Sequence, residues 1–183
     1  TVVAFETYTT GDKDFSAQLC KTKGANPDIL FLPNYFNEVP LQIQQARKLG
    51  LTCKVIGSDS WDNPELIKLG GREMEETYFT NHYSSDSTDE AVQKWIADYK
   101  AKYNSVPDAL GALAYDATNL LLDAIDAAKS TDSAKIKDAL GAIKDFKGVT
   151  GTISFDADGN PVKSVVVLQV KDGGQKYIES VTP

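Results

Sequence analysis

The order of short apolar runs and helical patterns in the first third of the chain limits its fold more than any other feature. Residues 2–5 are apolar and lead into the turn-rich stretch 8–12, which reads as a buried strand followed by a loop. Asp14 then opens a helix with Phe15, Leu19 and Thr22 near helical spacing, stopped by Gly24. Residues 28–32 form a second strand, broken by Pro33-Asn34. Leu41, Ile43, Ala46 and Leu49 mark the next helix, up to Gly50, and residues 54–57 form a third strand. Pro64 fits the first position of a helix over 65–69. Strand, helix, strand, helix, strand at this spacing predicts βαβ units on a parallel sheet flanked by helices. Ligands of such sheets gather on the loops that follow strands, which here begin at Tyr8, Asn34 and Ser58.

The pattern then changes. A further strand is expected within 76–83, and helices over 89–103, 108–129 and 132–144. The first of these carries Val92, Trp95, Ile96 and Tyr99 on one stripe. Strands at 152–155 and 165–170 flank the turn residues 156–160 as a hairpin-type connection, and a second turn at 171–174 precedes a strand over 176–181.

Composition removes several function classes. The chain has 183 residues, enough for a core without covalent staples. Nineteen Lys and Arg against 26 Asp and Glu give a net charge of −7, which argues against nucleic acid and against an anionic membrane surface. One His and two separated Cys leave no clustered zinc site, and no cofactor motif appears. Cys20 and Cys53 either form one bridge or remain two separate thiols, and Cys20, inside a helix, reads as packed. His82 has no nucleophile elbow to serve, so no catalytic residue is assigned. Asp156-Ala157-Asp158-Gly159 lacks the closing Glu of a calcium loop and reads as a turn. Gly70-Gly71 reads as a helix stop. The chain starts directly on an apolar run with no Met and no leader, which suggests a piece or a processed chain.

Two loops carry the chemistry. Asn34-Tyr35-Phe36-Asn37-Glu38 and Ser58-Asp59-Ser60-Trp61-Asp62 should open at the same carboxyl edge of the sheet. Together they offer aromatic surface, an acid and hydrogen-bonding side chains, a combination suited to an ammonium group. The bland alternative is that Asp59 and Asp62 only cap the next helix and Trp61 only packs.

Read in order, several segments resemble the branched-chain amino-acid ABC transporter substrate-binding proteins, which are type I periplasmic binding proteins of the Leu/Ile/Val-binding kind. They are Thr10-Gly11-Asp12-Lys13-Asp14-Phe15-Ser16, the run from Pro27 to Tyr35, Gln44-Gln45-Ala46-Arg47-Lys48-Leu49-Gly50, and Ile56-Gly57-Ser58-Asp59-Ser60-Trp61. Tyr115-Asp116-Ala117 and the run from Phe146 to Phe155 follow in the same order. Each piece is weakly specific; their order and spacing together are strongly specific.

The resemblance implies an incomplete α/β fold equivalent to the C-terminal half of a family chain. Residues 1–104 would form most of the second lobe, 105–150 helices of the first lobe, and 151–183 a hinge strand and C-terminal hairpin. It implies extracytoplasmic capture of an amino acid, branched-chain or aliphatic, in an interlobe cleft, and delivery to an ABC permease, with no enzyme activity. A ligand-sensing receptor domain of the same fold is the alternative. By position, Tyr35 contacts the amino acid, Asp59 pairs with its ammonium group, and Trp61 walls the side-chain pocket, with Asn34 beside them. Phe36 stands where family members can carry Tyr, and offers no hydroxyl. The family's first-lobe sheet and the opening strand of its second lobe have no counterpart, so the chain is expected to fold with the missing N-terminal half or by exchange between copies.

Overall fold

A computed structural model describes all residues, 1–183. The chain divides into two compact units, Thr1–Thr80 with Val167–Ile178, and Asn81–Val166 with Glu179–Pro183.

The first unit is built on the expected alternation. Helix α1 spans Ser16–Gly24, and the Asp14 carboxylate accepts the Ser16 N–H at its start. Strand β1 (Ile29–Leu32) is followed by α2 (Val39–Lys48), β2 (Lys54–Gly57), a 3₁₀ turn at Asp59–Trp61, α3 (Pro64–Gly70) and β3 (Tyr78–Asn81). Asn63 caps α3 by accepting the Glu65 N–H, with Pro64 at the first helical position. β1, β2 and β3 run parallel, with Leu30 against Val55 and Gly57 against Phe79. Two later strands, β7 (Val165–Lys171) and β8 (Gly174–Val181), extend this sheet beyond β3, in the order β1-β2-β3-β7-β8. The Glu76 N–H donates to Val170 O, and the Val170 N–H to Thr77 O, both at 2.9 Å. The Gln169 amide bonds Glu76, 93 positions away, at 2.8 Å. Val39, Ile43, Val55, Trp61, Leu66, Met74, Phe79, Leu168 and Val170 are buried in this unit.

One expectation fails here. Residues 2–5 form no strand, and Val2, Val3 and Phe5 are exposed. A strand exists by its ladder, and β1 has no hydrogen-bonded neighbour on its outer side. Ile29 and Phe31, which share one face of β1, are also exposed, where a parallel strand is ordinarily covered on both faces.

In the second unit, α4 (Glu90–Tyr103), α5 (Ala109–Ala128) and α6 (Ser133–Ala142) start on Asp89, Asp108 and Asp132, whose carboxylates accept backbone N–H groups of the first turns. Tyr83, Val92, Ile96, Ala109 and Ala112 cluster between α4 and α5, with Trp95 and Val149 against them. Helices α4 and α5, on either side of the 104/105 division read from sequence, thus fall in one compact unit. A three-stranded sheet follows, β4 (Phe146–Gly148), β5 (Gly151–Phe155) and β6 (Pro161–Val162). The turn at 156–160 therefore joins β5 to β6, and not to the strand at 165, which belongs to the other sheet. Asp156 accepts the N–H groups of Asp158 and Asn160, as a hairpin turn requires. Asp116, 2% exposed, lies beneath the β4–β5 turn and accepts the N–H groups of Val149 and Thr150, each at 2.8 Å.

Candidate functional site

Because β1 and β2 are parallel, the loops after Leu32 and Gly57 leave the sheet at one edge. They are bonded to each other. The Ser60 hydroxyl donates to Asn34 O at 2.7 Å, and the Phe36 N–H donates to Ser60 O at 3.1 Å. Beneath them, Trp61 is fully buried; its indole N–H donates to Leu32 O at 3.1 Å and its ring lies 6.0 Å from Phe79. A Cβ on Gly57 would lie 2.0 Å from the Trp61 ring, so glycine at the end of β2 is what admits the indole. Trp61 is the footing of the second loop rather than an open wall.

The remaining loop residues divide by exposure. Asn34 is half-buried, and its amide donates to Gln42 at 2.6 Å, so its side chain shapes the loop. Phe36 is half-buried. Tyr35 is 67% exposed, and Asp59, first residue of the 3₁₀ turn, is exposed as well. The two linked loops thus present a phenol and a carboxylate to solvent.

A third loop joins them. The Tyr8 hydroxyl donates to Glu38 Oε2 at 2.5 Å and the Gly11 N–H to Glu38 Oε1 at 2.9 Å. Tyr8 also packs edge-on against Phe15, ring centroids 5.2 Å apart. Gly11 has φ +94°, a conformation that glycine adopts without strain. Burial, reinforced by the hydrogen bond to Glu38 and by its charge, pushes the Tyr8 phenol up to about 12. The Tyr8 hydroxyl and the Gly11 N–H hold the Glu38 carboxyl below the usual carboxylate range. Sequence spacing pointed to the loop at Tyr8 but not to Glu38 as its partner; residues 30 and 27 positions apart leave no local pattern.

The other residues singled out lie elsewhere. His82 belongs to the second unit, where its carbonyl accepts the Lys163 ammonium at 3.3 Å. Cys20 and Cys53 are free thiols, and Cys20 is exposed rather than packed, because it faces away from the side of α1 that buries Leu19. No three His, Cys, Asp or Glu side chains are grouped to hold a metal ion. No helix is long and apolar enough to cross a membrane. The second unit has an open depression of about 450 Å³ between α4 and α5, edged by Lys94, Asp98, Tyr115 and Asp123, and none of the three loops contributes to it.

The family model described as periplasmic binding protein matches residues 1–175. The chain belongs to the periplasmic binding protein family. Among its curated relatives, a Leu/Ile/Val-binding protein homolog of Brucella melitensis is 33% identical over 87% of this chain and 43% of its own length. The Leucine-, isoleucine-, valine-, threonine-, and alanine-binding protein of Pseudomonas aeruginosa is 31% identical over 87% of this chain and 42% of its own. Among solved structures, a leucine binding protein of Thermotoga maritima superposes with a TM-score of 0.89 at 40% identity, covering 96% of this chain and 51% of that one. A branched-chain amino acid transporter substrate binding protein of Streptococcus pneumoniae, in complex with isoleucine, gives 0.83 at 34% identity over the same shares. The fold is that of the type I periplasmic binding proteins, and this chain spans about half the length of the curated relatives it matches.

Proposed function

We propose that the chain serves in an extracytoplasmic solute-binding component of an ABC importer, supplying the surface that recognises the ammonium end of an amino acid, branched-chain or otherwise aliphatic, for delivery to the permease. The observation that carries this reading is that Tyr35 and Asp59 are both exposed, on loops bonded through Phe36 and Ser60 at the carboxyl edge of a parallel sheet. A carboxylate beside a phenol suits a primary ammonium by charge-assisted hydrogen bonding and cation–π attraction. Trp61 and Asn34 keep the loops in place, and Phe36 adds apolar surface. Capture of this kind forms and breaks no covalent bond. The relatives support the ligand class: each is named for leucine, for Leu/Ile/Val or for branched-chain amino acids, and one for threonine and alanine besides.

The test is an amide-resolved NMR titration of the 183-residue chain with leucine, with isoamylamine, which lacks the carboxylate, and with isocaproate, which lacks the amine. Leucine and isoamylamine should shift the amides of 34–37 and 58–61, and Asp59→Asn should abolish the response. Equal shifts with isocaproate, or an unaltered Asp59→Asn, would sink the reading.

A further inference from the structure

We infer that Glu38 is a positioning residue of the amino-acid site, tying the 8–12 loop to the turn that carries Tyr35. The inference rests on the reading of that site given above.

Glu38 is 8% exposed, and both of its carboxylate oxygens are engaged, one by the Tyr8 hydroxyl and one by the Gly11 N–H. An acid so occupied is not offered to a ligand's ammonium group. Its backbone acts on the neighbouring turn. The Glu38 N–H donates to Tyr35 O at 3.0 Å, and the Val39 N–H donates to the same oxygen at 3.2 Å. One residue further on from Tyr35, the Phe36 N–H reaches Ser60 O. A continuous line of hydrogen bonds therefore runs from Gly11 and Tyr8, through Glu38 and the Tyr35 turn, to the turn that holds Asp59. Glu38 is its midpoint and its only charged link. Bonds to a charged group are stronger than neutral ones, and here they fix the 8–12 loop to the turn that carries Tyr35.

Hydrogen exchange on the whole 183-residue chain separates this role from general stability. In Glu38→Ala, amides of 9–12 and 35–38 should exchange roughly tenfold faster while β2 and α3 keep their protection. Leucine affinity should fall by a similar factor in Glu38→Ala and recover in large part in Glu38→Gln, whose amide still accepts from Gly11 and donates to Tyr8. Unchanged exchange in both loops overturns the proposal, as does acceleration spread evenly over the first unit. If Glu38→Ala does not fold, Tyr8→Phe, which removes one of the two bonds, answers the same question. A wild-type chain that ignores leucine would end the amino-acid reading, while the exchange data would still decide whether Glu38 ties the loops.

Discussion

The carboxylate of Asp116 fills the space that a side chain on Gly148 would need: a Cβ there would lie 2.4 Å from Oδ2. Gly148→Ala must push the carboxylate off the Val149 and Thr150 N–H groups it bonds. A loss of about 2–4 kcal/mol is expected. Asp116→Asn, which turns an NH₂ toward one of those donors, should cost about 1–3 kcal/mol. Because both act on the same contact, the double variant should lose less than the sum. Urea unfolding of the four proteins, read at constant slope, checks this.

Trp61 gives a second stability prediction. Trp61→Phe keeps much of the ring but deprives Leu32 O of its indole donor, at a cost of about 1–3 kcal/mol. Trp61→Ala adds the cavity and should cost about 3–5 kcal/mol. Thermal melts give both values. Exposure of the indole would instead predict losses near zero.

The Tyr8–Glu38 pair sets opposite pH limits on the first unit. Glu38 titrates below the usual 4.5, so the stability it contributes is present above that value and is lost as pH falls through the lowered folded value. Tyr8 is raised from 10.0 to about 12, so the unfolded chain loses this proton first and stability falls as pH rises across that window. Tyr8→Phe should remove the alkaline slope and weaken the acid one. Stability measured by denaturant titration at pH 3.5, 7 and 10.5 would expose either slope.

Lys163 behaves in the contrary sense. Burial lowers its pKa from 10.5, with the nearby Asp116 charge opposing. As pH rises from the lowered folded value toward 10.5, the unfolded chain still holds a proton that the folded chain has released, so this group makes stability rise. Lys163→Met should erase that rise and cost little at neutral pH, since the 3.3 Å bond to His82 O and the Asp116 attraction it gives up are offset by relief of the buried charge. Paired melts of wild type and variant at pH 7 and pH 9.5 test the difference.

Thiol labelling should distinguish the two cysteines. Cys20 is exposed and Cys53 half-buried, so alkylation of the native chain should modify Cys20 first, as peptide mass mapping would show. Equal rates would contradict this placement.

Many elements of both units were readable because their signals are local. Residues 54–57 are β2 residue for residue, Pro64 is the first residue of α3, and the helical runs opening on Asp89, Asp108 and Asp132 each use that Asp as the capping residue. What escaped depends on partners distant in sequence. Apolar residues 2–5 look like a strand, yet a strand needs a neighbour to bond. The turn at 156–160 announced a hairpin, but the strand expected to close it, 165–170, lies in the other sheet, and Pro161–Val162 closes it instead. The exposed pair of the candidate site, Tyr35 and Asp59, was legible as loop chemistry. The inward setting of Trp61 depends on the glycine at 57, and the grip of Glu38 on Tyr8 and Gly11 spans about thirty residues.

The placement of β7 beside β3 has a consequence for the order of assembly. Residues Asn81–Val166 make up the second unit together with the last five residues, Glu179–Pro183, so most of that unit sits in the sequence of the first as an insertion. The sheet of the first unit cannot close until the chain returns and Val170 reaches Thr77. Bringing such distant segments together costs little more free energy than a shorter loop would, but it slows folding. The second unit, most of which is one continuous stretch, should fold first, with the Val170–Thr77 pairing of the first unit formed later.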